Sequence, residues 1–372
     1  MNNRAKKTAA IAIALMTITA CSSAPAAEVE PLTNPVLGQV PEGALSGATF
    51  TFAGDGGTTQ EAMASAYLEP FAKESGVTLA QDSPQTLAKL EAQVNSGNIQ
   101  WDVVTSYADS IERECGTYFE KLDKSKLDTS KIPDSVPVLD CAVPSIIYGV
   151  NIVYNTDVYG DNGPETWEDF FDTEKYPGKR TFYNGDGKVD AALVQAGAIA
   201  AGWDPSTPFT VEWANKGLDK IESIADSVIF YSTGASAQQL LESGDASIGA
   251  VWTGRSLQAA KNGAPIKATW NQWIGITDYF AIVKGSPNIE VSYYFLNYAL
   301  GAEQQAAFTE ATGYSPANVD AAPEVDELTK EYMVTTPDKS ENSVPVDAEF
   351  WSDRDVVSPL QDRWSAIVAG AE

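Results

Sequence analysis

Short apolar runs separated by amphipathic stretches organise the first part of the chain. Residues 49–52, 77–80 and 101–105 are typical of buried strands, and the stretches between them place their apolar residues on one helical face. This strand–helix–strand–helix–strand order predicts a parallel sheet covered by helices on both faces.

A second α/β pattern follows residues 141–155, a β-rich segment that we expect to lead out of the first unit. The chain has 372 residues, more than one hydrophobic core usually serves, so we expect two lobes. The expected division is a tether at 21–47, lobe 1 at 48–150 and 280–320, lobe 2 at 151–279, and C-terminal helices at 321–372 that pack on the lobes.

Polar residues follow the predicted strands at their carboxyl ends. Asp55 comes after the first strand, and Ser106 and Tyr107 come after the third, where a turn is expected. Trp252 and Arg255 stand at the end of a strand predicted for residues 248–252. Ligands of such sheets bind beyond the carboxyl ends of strands, so these positions are candidates for a binding site.

The stretch 251–285 carries the clearest binding chemistry. Arg255 offers a rigid fork of donors that matches a carboxylate. Asp278 beside Tyr279 suits an ammonium group through charge-assisted hydrogen bonds and cation–π contact. The alternative is that the tryptophans of this stretch are core residues and its charges lie on the surface.

The composition narrows the possible functions. The formal net charge of −27 argues against nucleic acid as a partner, and the absence of histidine excludes Ser–His–Asp catalysis and histidine-ligated metals. No cysteine cluster suggests a metal site, and no confident pair of opposed acids suggests hydrolysis. We therefore expect a protein that is not an enzyme and needs no cofactor or metal.

The first residues form a targeting segment. Three basic residues precede a short apolar run that is typical of a secretory signal. The run ends directly before Cys21, and this junction resembles a bacterial lipoprotein signal in which that cysteine is lipidated. We expect signal removal after residue 20 and a lipid anchor at Cys21. Residues 21–47, rich in Ser, Ala, Pro and Gly, would then be a flexible tether at the outer face of the cell membrane or in the periplasm.

The two remaining cysteines are Cys115 and Cys141. Outside the cytoplasm a disulfide between them is permitted, and in the chain-entropy account it contributes about 3.5 kcal/mol. Two free thiols are the alternative.

Several segments occur in an order found in one known family. These are LEPFAKESGV at 68–77, WDVV at 101–104, YGVNIVYN at 148–155, PETWED at 164–169, YPGK at 176–179 and GYSPAN at 313–318. The chain resembles the solute-binding component of bacterial ABC importers, within the spermidine/putrescine-binding branch.

The resemblance implies a type II periplasmic-binding-protein fold, two α/β lobes joined by crossing strands with the ligand between them. It also implies a permease and an ATPase as partners of a monomeric binding protein. Trp252 matches a tryptophan that stacks on a polyamine, Asp278 matches an acid that binds its amine, and Ser106 and Tyr107 match a cleft turn. Asp186 or Asp190 lies near a further acidic pair of the family.

Two departures bear on the ligand. The loop around Asp55 lacks the aromatic residue of polyamine binders, and Arg255 would repel a second ammonium and favour a carboxylate. We therefore expect either a polyamine such as putrescine or spermidine, or an ω-amino acid such as γ-aminobutyrate. The alternatives are an outward-facing or ion-paired Arg255, an iron- or anion-binding protein of the same fold, and a secreted carboxylate-based hydrolase.

The lipoprotein expectation predicts that Cys21→Ser abolishes lipidation, because the lipid is attached through a thioether to the cysteine sulfur, which serine lacks. Membrane fractionation and mass spectrometry of the mature protein test this. Retention of the variant in the membrane fraction with an acylated N-terminus would contradict it.

Overall fold

A computed structural model describes residues 29–133 and 136–371, except the side chains of Asp186 and Ala371. The predicted signal segment and Cys21 lie outside the described residues. Within this part of the chain no helix is long and apolar enough to cross a membrane.

The described residues form one hydrogen-bonded sheet. Its strands are β1 (Thr49–Ala53), β2 (Thr78–Asp82), β3 (Val103–Tyr107), β4 (Ala142–Asn155), β5 (Arg180–Tyr183), β6 (Val228–Tyr231), β7 (Ile248–Trp252), β8 (Ile266–Ala268), β9 (Ile274–Ile282) and β10 (Val344–Pro345).

The α-helices cover this sheet or connect its strands. They are α1 (Gly57–Met63), α2 (Glu69–Ser75), α3 (Leu87–Ser96), α4 (Ala108–Glu114), α5 (Thr156–Tyr159), α6 (Trp167–Phe171), α7 (Ala191–Ala200), α8 (Val211–Ser223), α9 (Gly234–Ser243), α10 (Thr253–Lys261), α11 (Ile289–Ala299), α12 (Ala302–Thr312), α13 (Glu327–Tyr332), α14 (Pro337–Ser340), α15 (Ala348–Ser352) and α16 (Arg354–Ala371).

The strand order is β2-β1-β3-β9-β4-β7-β5-β6, with β8 beside β4 and β10 beside β9. The strands β1, β2 and β3 pair in parallel on one side, and β5, β6 and β7 pair in parallel on the other. Between them β4 and β9 pair antiparallel to each other and to their outer neighbours. The mixed sheet therefore consists of two parallel halves joined by two crossing strands.

The crossing strand β4 has the sequence of a continuously buried strand. All fourteen residues of β4 are buried, and most are β-branched or aromatic. Pro144 cannot donate to the ladder and stands where the register with β9 shifts, as expected for a proline inside a strand. The first part of β4, with Tyr148, packs in a core of the first lobe, and its last part, with Ile152 and Tyr154, packs in a core of the second.

Each half has its own apolar core. Clusters around Phe50, Phe71 and Phe295 and around Trp101 and Phe119 belong to the first lobe. Clusters around Trp167 and Phe182 and around Tyr231 and Leu257 belong to the second. The expectation of two lobes joined by crossing strands is confirmed. The proposed lobe boundaries near 150 and 279 fall inside β4 and β9, which both lobes share.

The expectation of a flexible tether at 21–47 is wrong for its described part. Val40 and Leu45 are buried in the core of the first lobe, and Leu32 and Leu37 pack against it. Backbone groups are also held, since Leu32 N–H donates to Glu290 at 3.1 Å and Gly38 N–H donates to the carbonyl of Asn297 at 3.0 Å. The segment has the proline and small residues of a linker. Its spaced apolar side chains nevertheless bury enough surface to hold it against the first lobe.

The C-terminal part packs on both lobes. Helix α16 lies against α8 and β6 in the second lobe, whereas α15 contacts α4 in the first lobe. Arg354, at the start of α16, forms an ion pair with Glu114 at the end of α4.

The crossing leaves no room for a side chain at Gly149 in β4. A Cβ there would stand 2.3 Å from the carbonyl oxygen of Ile274 and 2.4 Å from the ring of Trp273. We expect Gly149→Ala to lower the free energy of unfolding by about 2 kcal/mol or more, measured by urea denaturation, because two paired strands must separate. The control is Gly370→Ala, where no atom lies within 4 Å of the added Cβ. Equal stability of the two variants would contradict the close-approach explanation.

Candidate functional site

A cleft of about 1480 Å³ opens between the lobes. Five of the seven residues expected to bind ligand line this cleft, namely Asp55, Ser106, Tyr107, Trp252 and Tyr279. Asp278 and Arg255 are partly exposed but are not among the lining residues, and their neighbours determine what they can contact.

Ser106 and Tyr107 are the last residues of β3 and not the turn that the sequence predicted. Tyr107 lies opposite Asp278 on β9 in the strand register. Tyr107 is 45% exposed, but it lines the cleft. Loss of hydration there, followed by the charges of Asp278 and Asp55, raises the pKa of its phenol well above its ordinary value. Tyr107 is therefore neutral at physiological pH and can donate or accept a hydrogen bond.

Asp278 is held at the centre of β9. Its carboxylate accepts a hydrogen bond of 3.1 Å from the hydroxyl of Tyr148 on β4, a residue that lines the cleft. Burial, followed by the charge of Asp55, raises the pKa of Asp278 well above its ordinary value of 3.8. A cation placed beside it would reverse this shift, since an opposite charge favours the ionised form.

Asp55 stands in the glycine-rich loop between β1 and α1. It accepts a hydrogen bond of 3.3 Å from Gln85, and burial raises the pKa of its carboxyl. In this loop the Gly56 N–H donates to the side chain of Gln60 at 2.9 Å, so a backbone donor that an anion could use is already occupied. The loop thus favours a carboxylate-lined site over an anion site.

Tyr279 faces the other way from Asp278, because successive side chains of a strand point to opposite faces. Only 2% of Tyr279 is exposed, and it packs with Trp101, Leu90 and Phe119 in the first lobe. Its edge reaches the cleft wall, but its ring is part of the core.

Trp252 ends β7 and forms an aromatic wall of the second lobe. Its ring centroid lies 4.9 Å from that of Tyr183 and 5.5 Å from that of Tyr231. The side chain is partly exposed to the cleft. A flat apolar surface of this kind suits the methylene chain of a ligand.

Arg255 lies in the first turn of α10 and packs against α9. A Cβ on Gly234, the first residue of α9, would stand 2.2 Å from its Nε atom. That Nε atom is buried and has no hydrogen-bond partner. Arg255 also takes part in none of the ion pairs among the described residues. The guanidinium of Arg255 is therefore neither paired with an acid of the described lobes nor fully exposed to solvent.

The sequence did not single out Tyr314, which links Asp278 to Arg255. Its ring centroid is 5.5 Å from that of Tyr148, and a Cβ on Gly254 would stand 2.6 Å from its Cε1 atom. Burial raises the pKa of the Tyr314 phenol. The positive charge of Arg255 lowers this pKa, and the negative charge of Asp278 raises it further. The motif GYSPAN contained the residue, but only the fold brings it between the two charges.

Asp190 also lines the cleft, at the N-cap of α7, where its carboxylate accepts the Leu193 N–H at 3.1 Å. Burial raises its pKa from 3.8 to about 6. The side chain of Asp186 lies outside the described part of the structure.

A disulfide fixes the first lobe beside the cleft. Cys115 and Cys141 are bonded, with their Cα atoms 5.6 Å apart, and they join the end of α4 to the start of β4. Among the described residues no group of three potential metal ligands comes together.

Comparison with known proteins identifies related sequences and folds. A family model described as bacterial extracellular solute-binding protein matches residues 66–335. The γ-aminobutyric acid-binding protein of Pseudomonas aeruginosa is 27% identical over 318 residues, which are 84% of this chain and 89% of the relative. The putrescine-binding periplasmic protein PotF of Escherichia coli is 25% identical over 280 residues, 68% of this chain and 74% of the relative.

Two solved structures show the same fold. The structure of the Atu4243–GABA receptor has a TM-score of 0.78 at 32% identity. This match covers 86% of the present chain and 97% of the receptor chain. The structure of the binding protein MotA of Agrobacterium tumefaciens, in complex with glucopine, has a TM-score of 0.74 at 30% identity. This match covers 86% of the present chain and 99% of the MotA chain.

The raised pKa of Asp190 makes stability depend on pH. Because the folded chain holds this proton more tightly than the unfolded chain, the contribution is full below about pH 4 and is lost as pH rises through about 6. Asp190→Asn keeps a capping side chain and removes the titration. We expect the free energy of unfolding of this variant to exceed that of the native protein by about 1 kcal/mol at pH 8 and to equal it at pH 4, measured by urea denaturation.

The matched control is Asp326→Asn, which changes an exposed N-cap whose pKa is lowered by hydrogen bonds from the Thr329 backbone and side chain. That variant should show no gain at pH 8. A gain at pH 8 from both substitutions, or from neither, would contradict the role of burial.

Proposed function

The chain belongs to the bacterial extracellular solute-binding protein family, and from this premise we propose that it captures a short ω-amino acid for an ABC importer. A ligand of the size and charge of γ-aminobutyrate has its ammonium on Asp278 and its carboxylate on Arg255.

The observation that carries this proposal is a pair of opposite charges without protein counter-ions. Among the described residues no cation lies within 4 Å of Asp278, and no acid lies within 4 Å of Arg255. Tyr148 and Tyr314 lie between them. Partly buried charges are costly when unpaired, and a zwitterion that spans the two tyrosines would pair both.

The aromatic residues supply the rest of the complementarity. Trp252 with Tyr183 offers a surface for the methylene groups, and the phenols of Tyr107 and Tyr148 can hydrogen-bond to the polar ends. Micromolar affinity corresponds to about −8 kcal/mol. A desolvated ion pair at each end and burial of three methylene groups can provide this when the lobes exclude water.

The relatives support the class of ligand. The Pseudomonas aeruginosa protein, named for γ-aminobutyric acid, matches over most of both chains, and the Atu4243 structure is that of a GABA receptor. We propose the same ligand class for this chain. The capture step needs no covalent chemistry, and delivery would follow from docking of the closed form on a permease.

A diamine such as putrescine is the second candidate. Its support is Asp190, an acid that lines the second lobe's side of the cleft and could hold a second ammonium. Two relatives are named for putrescine. Arg255 argues against this candidate, because its charge repels a cation at that end of the cleft.

The lipid anchor at Cys21 and a monomeric state complete the proposal. A protein anchored outside the cell membrane would hand its ligand to a permease in the same membrane.

Substitutions of Arg255 and Asp278 should distinguish γ-aminobutyrate from putrescine as the ligand. Arg255→Ala should reduce affinity for γ-aminobutyrate by about a hundredfold, because the carboxylate loses its bidentate partner, and should leave putrescine unaffected or bound more tightly. Asp278→Asn should lower the affinity for both ligands. Isothermal titration calorimetry with the mature protein measures these changes.

The control is Arg113→Ala, since Arg113 also lies in the cleft wall but is already paired with Asp109 and Glu114. Tight binding of putrescine without any binding of γ-aminobutyrate would refute the zwitterion. So would an Arg255→Ala variant that binds γ-aminobutyrate like the control.

A further inference from the structure

We propose that Arg354 and Glu114 form a latch between the lobes, an ion pair outside the candidate ligand site that raises affinity by stabilising the arrangement in which the lobes enclose a ligand. The inference rests on the proposed function only for the presence of a ligand in the cleft. It adds two residues that touch no ligand, and it gives the C-terminal segment a part in capture.

The carboxylate of the latch belongs to the first lobe. Glu114 is the last residue of α4, and only 5% of it is exposed. Within the same helix Ile111 packs in a core of the first lobe. The residue that follows, Cys115, is bonded to Cys141 just before β4. The first lobe therefore holds Glu114 in place from both sides along the chain.

The guanidinium of the latch belongs to the second lobe. Arg354 begins α16, one residue after the end of α15. Gln195 on α7 holds α15, because its side chain accepts hydrogen bonds from the Asp347 N–H at 2.9 Å and from the indole N–H of Trp351 at 3.0 Å. Trp351 is also buried in a core of the second lobe. Arg354 is therefore expected to move with the second lobe.

The contact between these two parts crosses the edge of the cleft. Helix α15 lies against α4, and Arg354 forms its ion pair with Glu114 beside this contact. Both helices also line the cleft, through Asp109 and Arg113 on α4 and through Trp351 on α15. A separation of the lobes at this edge would break the ion pair.

The chemistry of the pair suits a contact that is made and broken repeatedly. Arg113 donates through Nε to Oε1 of Glu114 at 3.0 Å, and Nη2 of Arg354 contacts the same oxygen. Glu114 thus keeps one cationic partner when the lobes separate, which avoids a buried charge without a partner. The side chain of Arg354 is 65% exposed, so water can solvate it when it is released. Exposed ion pairs contribute modestly, so the latch shifts the opening equilibrium by a few-fold only.

A latch has a binding signature that differs from that of a residue in the site. Because it favours the enclosed arrangement whatever the cleft holds, its loss should lower the affinity for different ligands by the same factor. Its loss should also speed dissociation more than it slows association, since a bound ligand leaves only after the lobes separate.

Isothermal titration calorimetry and stopped-flow dissociation of the mature protein test the latch. We expect Arg354→Gln to lower the affinity for γ-aminobutyrate by about fivefold, mainly through faster dissociation. Any other amine that binds should lose affinity by the same factor. Arg354→Lys should keep part of the native affinity, and salt at about 0.5 M should reduce the difference between Arg354→Gln and the native protein.

The matched control is Arg363→Gln on the same helix. It breaks ion pairs with Asp219 and Glu222 that lie inside the second lobe, and it should bind like the native protein. Native affinity of Arg354→Gln, or an equal loss in the control, would overturn the latch. A loss for one ligand but not for another would also overturn it, because it would place Arg354 in the binding site.

Failure of the proposed function can be distinguished from failure of the latch. If no ω-amino acid or diamine binds, the proposed function is wrong, and small-angle X-ray scattering of the ligand-free proteins tests the latch separately. Arg354→Gln should then have a larger radius of gyration than Arg363→Gln, because its lobes separate more often. Equal radii would overturn the latch.

Discussion

The pairing of β4 with β9 is the constraint on which the rest of the structure depends. Both strands run through the middle of the sheet and belong to both lobes, so each lobe is built around the same two segments. The cleft forms where the parallel halves diverge from this pair. Asp278 and its donor Tyr148 sit on the two crossing strands themselves, so the candidate amine site is built on segments that both lobes share.

The candidate site combines aromatic residues with Asp278 and Arg255, two groups that form no ion pair within the described part of the chain. In a protein evolved only for stability, groups such as Asp278 and Arg255 would be paired or solvated, because unpaired charges away from water are costly. Residues that bind a charged ligand have to leave that pairing to the ligand. Under the proposed function, the stability forgone at Asp278 and Arg255 would be recovered when a charged ligand pairs with them.

Much of the fold could be predicted from local pattern. Strands at 180–183, 228–231 and 248–252 match β5, β6 and β7, because short apolar runs bounded by polar turns have few other solutions. Two expectations failed for a shared reason. Residues 29–47 have a linker's composition but dock on the first lobe, and Ser106–Tyr107 extends β3 because β9 continues beside it. In both cases a partner distant in sequence outweighed the local preference.

The sequence by itself determined the order of strands and helices, the two cysteines able to form a disulfide, and the types of charge near the strand ends. These follow from side-chain periodicity and chemistry, which are local properties. Only the tertiary structure decided which charges meet. It packed Tyr314 against Tyr148, set Tyr107 opposite Asp278 in the strand register, and turned Tyr279 into the core. Those relations depend on strand register and on contacts between segments far apart in the chain, and spacing along the sequence does not encode them directly.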